Sequence, residues 1–260
     1  LLAFLKGQGA HGPGKHKIRT PPAIVRFCVN YIQIQLQGTP SQTTEFRQRI
    51  PGTGSTDAGT GKAGTSDDNR AGVGGWHGID TTTKWNVDWF MVPVTKDSHP
   101  WAYVRDDNPQ RFVPGLELLG DVYYTEYLAE RFPGGAGTHY AAATTDNEGN
   151  SYILTKHYTS TFPNMCLVME LTDRLTKADL YLRIEHRDRT HDEWADQLAA
   201  LDDTGFNPAR RWKPTAPLAI FDLTYRLAKE LLLDQPRKLK QQEYWTQCQE
   251  EQTESRKRHR

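Results

Sequence analysis

Cysteine is scarce in this 260-residue chain: Cys28, Cys166 and Cys248 are far apart and odd in number. That excludes a disulfide scaffold and a thiolate zinc site, and it fits a reducing intracellular compartment, cytoplasmic or nuclear. No apolar run approaches the roughly 20 residues of a membrane helix. The apolar start LLAF breaks at once into KGQGAHGPGK, so neither an anchor nor a signal peptide is expected. A GxSxG elbow is missing and Cys166 lies within an apolar helical pattern, which leaves acyl and thiol catalysis without support. GTGKAGT fails the phosphate-loop spacing, because Thr56 stands where the first Gly belongs and Ala63 follows Lys62. Aromatics are not lacking: seven Trp, eleven Tyr and nine Phe argue against wholesale disorder. The chain begins at Leu1 rather than Met, and the expectation is a piece of something longer.

Net charge is also absent, with 32 Lys and Arg against 32 Asp and Glu, but the zero hides a pattern. Residues 1–49 carry seven bases and one acid, a balance of +6. Residues 50–203 carry 13 bases and 24 acids, a balance of −11, and residues 204–260 carry 12 and seven, a balance of +5. Basic arms suit a polyanionic partner and an acidic middle suits divalent cations, with ordinary solvated surface as the bland alternative. The division read from this is a basic arm and connection helix over 1–49, a central domain over 50–203, and an amphipathic helix with a basic tail over 204–260.

Along the chain, AIVRFCVNYIQIQLQG reads as a helix and TPSQTTEFRQR as linker. RIPGTGSTDAG predicts an extended stretch ending at Asp57, and RAGVGGWHGI a second strand after a long polar loop. TKWNVDWFMVPV alternates Trp85, Val87, Trp89 and Met91 against polar neighbours, the period of a half-buried strand, with at least two of Trp76, Trp85 and Trp89 in the core. VPGLELLGDVYYTEYLAERF predicts a helix with Leu116, Leu119, Tyr123 and Tyr127 on one face. HYAAATT reads as a strand running into a turn at Asp146. One helix broken near Phe162-Pro163, or two short ones, follow; then come the strand DLYLRIEH and the helix DEWADQLAAL, with Asp192 able to cap it. The order β-β-β-α-β-α-(α)-β-α predicts a mixed α/β sheet flanked by helices.

Four carboxylates stand where this order would bring them together: Asp57 on the first strand, Glu117 on the first helix of the domain, Asp146 after the fourth strand and Asp196 on the last helix. Close carboxylates repel, and hard divalent cations relieve that repulsion by taking oxygen ligands. Most acids in a chain are surface charge, so the signal lies in the joint placement of four. Gly74-Gly75 would let a nucleic-acid backbone approach closely, or simply mark a bulge. His186 and His191 are candidates for phosphate binding or product release, or plain loop histidines.

STDAG…AGVGGW, LELLG, TTDNEGNSYILTK, FPNMCLVMEL and ADQLAAL resemble the ribonuclease H domain of retroelement reverse transcriptases. The nearest likeness is to DIRS-like tyrosine-recombinase retrotransposons and related elements of dinoflagellate genomes, over roughly residues 50–203. The resemblance implies a ribonuclease H-like, mixed five-stranded sheet with helical and basic extensions at both termini. It also implies hydrolysis of the RNA strand of RNA–DNA hybrids with two Mg²⁺ or Mn²⁺ ions on Asp57, Glu117, Asp146 and Asp196. Gly74, Gly75, Asn147, Arg189 and His191 are the candidate substrate-binding positions, and a polymerase is expected upstream of Leu1. The family reads Trp-x-Pro-Arg, then Asn, then Ala-Asp before the last helix. Here His186, Asp188, Arg189, Asp192, Ala195 and Asp196 stand, so only the Arg and the Ala-Asp pair match. That departure keeps open a decayed remnant that at most binds nucleic acid. Another nuclease of the same fold is a further alternative, although an integrase-like Asp-Asp-Glu order is not met, because the glutamate comes second.

Overall fold

The computed structural model describes residues 23–38, 48–60, 71–104, 107–133, 139–159, 161–186 and 193–233; the side chains of 35–38 and 231–233 are not part of the description. Contacts group the chain into two units, Leu1–Pro40 with Leu223–Arg260, and Ser41–Asp222. The first contains α1 (Ala23–Gly38). Among the described residues no helix is long and apolar enough to cross a membrane.

The second unit is built on one mixed sheet: β1 (Gln48–Arg49), β2 (Thr53–Thr60), β3 (Ala71–Gly78), β4 (Asp88–Val94), β5 (His139–Thr145) and β6 (Leu180–His186). β2, β3 and β4 form an antiparallel meander, while β5 lies parallel to β2 on one edge and to β6 on the other. β1 pairs with the start of β5 on the edge that β2 uses further along, so the sheet is five strands wide. Gln48-Arg49 is therefore strand rather than linker. The chain breaks between β1 and β2 at Gly52, whose φ of +96° a side chain rarely adopts.

The helices of this unit are α2 (Val113–Arg131), α3 (Glu148–Lys156), α4 (Asn164–Lys177), α5 (Glu193–Ala199) and the start of α6 (Ala219–Leu233). α3 and α4 are the two-helix form of the broken segment. α2 has no polar face: Leu116 through Thr125, with Tyr127 and Leu128, are all buried. The sheet covers one side of it and α4 another, which is why a single apolar stripe understates its burial.

Strand alternation decides which face each helix takes. Gly54 and Thr56 of β2, with Val73 of β3, face α2, whereas Gly59, Gly72 and Gly74 lie under the end of α5. α2 and α5 thus pack on opposite faces. β4 begins later than its alternation suggests, because Lys84–Asn86 form a 3-10 turn and leave Trp85 57% exposed. Val87 and Trp89 join Leu198 and Phe206 in a buried cluster, and Phe90 is buried on the other face against Tyr123 and Trp212. Both faces of β4 are covered, so it is not half-buried.

The segment after residue 203 protects the outer edge of β4. Trp212 donates its backbone N–H to the Trp89 carbonyl at 2.8 Å, and the Trp89 indole donates to the Asn207 carbonyl at 2.8 Å. A covered edge removes a template for unwanted strand pairing. Behind it lies a buried ionic cluster: Arg174 donates to Glu170 at 2.8 Å and to Glu126 at 2.6 Å.

Candidate functional site

β5 stops at Thr145, and beyond a strand end the two faces of a sheet are no longer separated. The register Gly54↔Ala143, Ser55↔Thr144 carries forward to set Asp57 beside Asp146. Asp57 is not at the end of its strand: β2 runs on to Thr60, past the end of β5. Into the space beyond β5, α2 brings Glu117 from one face and α5 brings Asp196 from the other.

The result is a tight group. One carboxylate oxygen each from Asp57, Glu117 and Asp146 lies within 4.8 Å of the others, with Asp57 and Glu117 buried. Asp196 shares a carboxyl–carboxyl hydrogen bond with Asp57. Burial drives the Asp57 carboxyl well above its ordinary range; the proton shared with Asp196 and the charge of Asp146 push the same way, against the Ala58 N–H that donates to its Oδ1 at 2.7 Å. Burial and the neighbouring acids thus both disfavour the charged form of Asp57, and a hard divalent cation would relieve both by pairing with the carboxylates. The donor set is all oxygen and close enough to share such a cation, so these residues fit a metal site.

Two asparagines fix Glu117. Asn147 caps α3 by accepting from the Asn150 N–H, and its own amide donates to Glu117 Oε2 at 2.6 Å. Asn150, buried one turn later, donates to the same oxygen at 2.7 Å. The Asn147 amide expected to contact substrate is thus turned toward Glu117. Asn150 escaped the sequence reading, because its partners Glu117 and Pro114 lie more than 30 residues away in the chain.

Asp121, one helical turn after Glu117 on the same stripe of α2, was also missed, since the helix carries further acids at Glu126 and Glu130 and nothing local sets it apart. It is fully buried, accepts from the Thr56 hydroxyl at 3.0 Å, and its pKa is pushed up to about 7. Burial is the main cause, aided by the charge of Glu117, while the Thr56 bond opposes it. The folded-state pKa lies above the unfolded value of 3.8, so the folded state holds a proton that the unfolded state has released. Its contribution to stability is present at low pH and fades between about pH 4 and 7. Asp121→Asn should therefore gain on the natural protein as pH rises, by up to about 4 kcal/mol at pH 8, from roughly three pKa units at 1.36 kcal/mol each. Urea unfolding of both proteins at pH 4 to 8 checks this. Buried His77 and His99 titrate with the opposite sign but cancel in the difference. A difference independent of pH would refute the assignment.

The remaining expectations separate by burial. Gly74 and Gly75 are interior: a Cβ at Gly74 would fall on the backbone of Leu198 and Ala199, and one at Gly75 on the Phe90 ring. Their room is filled by the protein itself, which corrects the reading of a nucleic-acid approach there. His186 is exposed at the end of β6 and donates from Nε2 to the Asp146 carbonyl at 3.1 Å, beside the acids. Arg189, His191 and Asp192 lie outside the described residues, as do the Gly-rich loop at 61–70 and both basic arms at 1–22 and 234–260. Trp76 packs edge-on against Trp194 of α5, with ring centroids 5.1 Å apart, and serves the core.

No family model and no curated protein sequence matches the chain. Among solved structures it is similar to RNase H1 of the halophilic archaeon Halobacterium salinarum NRC-1, at 18% identity and a TM-score of 0.39, over 60% of this chain and 100% of that one. It is similar to LC11-RNase H1 in complex with an RNA/DNA hybrid at 13% and 0.39, over 58% and 95% of the two chains. A third likeness is to the foamy viral protease–reverse transcriptase in complex with an RNA/DNA hybrid, at 9% and 0.38, over 65% and 22%.

Proposed function

We propose that the chain is a metal-dependent endonuclease of the ribonuclease H type, hydrolysing the RNA strand of RNA–DNA hybrids. The observation that carries this reading is the meeting of Asp57, Glu117 and Asp146 within 4.8 Å, with Asp196 bonded to Asp57. The four come from strand β2, the turn after β5 and two helices on opposite sheet faces, and their sequence motifs are those that resemble the family. Asp57, Glu117, Asp146 and Asp196 would hold two Mg²⁺ or Mn²⁺ ions. When bound, such ions supply a water activated for attack on phosphorus and stabilise the departing oxygen. The chain's own contribution is to bring the four acids together and to hold Glu117 in place. Products would carry 5′-phosphate and 3′-hydroxyl ends. Recognition would fall on the backbone and 2′-hydroxyls of the wide minor groove rather than on base sequence. The finer proposal, from the TTDNEGNSYILTK and FPNMCLVMEL motifs, is a retrotransposon reverse transcriptase of the DIRS-like kind as the parent context.

The test is cleavage of an end-labelled RNA–DNA hybrid by the purified chain, with Mg²⁺, with Mn²⁺ and with chelator. Cleavage of the RNA strand alone, lost in chelator, is the expected result. Binding of the hybrid without cleavage under either metal would instead favour the nucleic-acid-binding remnant.

A further inference from the structure

We propose that Asn150 is a positioning residue which, together with Asn147, fixes the Glu117 carboxylate and so sets the affinity of the acid cluster for divalent cations; this rests on the nuclease reading above. Asn150 is 1% exposed, and its amide nitrogen donates to Glu117 Oε2 at 2.7 Å and to the Pro114 carbonyl at 2.9 Å. Pro114 lies in the first turn of α2 and Glu117 just beyond it, so Asn150 ties the start of α2 to α3. The second amide, from Asn147, reaches the same oxygen at 2.6 Å, and Asn147 is itself held by the Asn150 backbone N–H at 3.1 Å. Two donors from one helix terminus therefore converge on one carboxylate oxygen of another helix.

Neutral amides suit this task. They stabilise a carboxylate without bringing a full positive charge that would compete with a cation for it. A glutamate has three rotatable bonds, and one already held in place need not be ordered when the cation binds. The arrangement also joins two parts of the cluster. Asn147 follows Asp146 directly, so the turn that presents Asp146 is the turn that clamps Glu117.

The experiment is calorimetric titration of MgCl₂, and separately MnCl₂, into the full metal-free chain, with thermal unfolding of each protein in chelator. Asn150→Leu keeps the approximate volume and deletes both donated bonds; it should weaken cation binding about 10–100-fold, the usual loss for a group that orients a ligand. Asn147→Ser retains an oxygen that caps α3 but lacks the amide, and should shift affinity in the same direction. In a Glu117→Ala background, Asn150→Leu should add no further loss, because the effect runs through Glu117. An Asn150→Leu protein that unfolds at lower temperature yet binds cations as tightly as the natural chain would reduce Asn150 to a structural role and leave the nuclease reading standing. If Asn150→Leu does not fold, unchanged affinity in Asn147→Ser overturns the proposal. A natural chain that takes up neither ion overturns both readings at once.

Discussion

Asp57→Asn should reduce hybrid cleavage by about a hundred- to a thousand-fold, the scale of removing one group that stabilises charge developing in a transition state. Asp57 sits at the centre of the group, bonded to Asp196 and within reach of Asp146 and Glu117, so its loss removes the ligand with most neighbours. The same change should stabilise the metal-free protein at neutral pH. The natural Asp57 carboxyl has a raised pKa, so its ionisation on unfolding favours the unfolded state as pH climbs above 3.8, and an amide has no such ionisation. Mg²⁺ should then raise the melting temperature of the natural chain and not of the variant, since only a cation that binds the folded state stabilises it. A variant that is less stable in chelator and also inactive would point to misfolding instead. One that still cleaves would show that these acids are not the catalytic set.

Glu170→Ala is expected to cost about 3–5 kcal/mol, the loss that follows breaking a buried ion pair from one side. Glu170 is 3% exposed and serves two masters. Its Oε1 accepts from Arg174, and its Oε2 accepts the Ile220 and Phe221 backbone N–H groups at 2.8 and 3.0 Å, capping the start of α6. Truncation leaves Arg174 with Glu126 as its one remaining carboxylate partner beside the Ala216 and Pro217 carbonyls, and it removes the acceptor of two N–H donors at a helix N-terminus, where negative charge is favoured. Glu126 in turn accepts the Thr215 and Ala216 N–H groups, so the cluster holds the chain entering α6 from both carboxylates. Glu170→Gln keeps an acceptor for the helix but turns an amide toward the guanidinium, and its cost should be smaller. Urea unfolding of the three proteins decides; equal stability of the alanine variant would mean the cluster merely balances its own desolvation.

Much of the architecture was legible because its signals are local. β6 shows strict alternation, with Leu180 and Leu182 buried and Tyr181 and Arg183 outward. α2 and α4 carry dense apolar patterns, and Asp146 follows a run of small residues that makes a strand ending in a turn. The misreadings share one cause, which is that neighbours distant in sequence set the context. Trp85 fits the alternation of β4 but stands one turn before the strand begins, and nothing local marks where pairing with β3 starts. Phe90 reads as a solvent-side position until α2 and Trp212 are seen to cover it. Gly74 and Gly75 read as openings, whereas α5 and Phe90 close over them.

The identity of the four acids was readable from residue type, motif resemblance and position in the element order. Their meeting was not, because it depends on β2 outrunning β5 and on helices from opposite faces reaching the gap beyond Thr145. Asn150 and Asp121 belong to that second kind: each is an ordinary polar residue until burial removes water and leaves a particular carboxylate or hydroxyl as its partner. The sequence by itself thus determined the elements, their order and the surplus of acid in the middle of the chain. Only the tertiary structure decided which acids share space, which amides hold them and which glycines face inward. Periodicity and charge are properties of neighbours along the chain, whereas desolvation and approach are properties of neighbours across it.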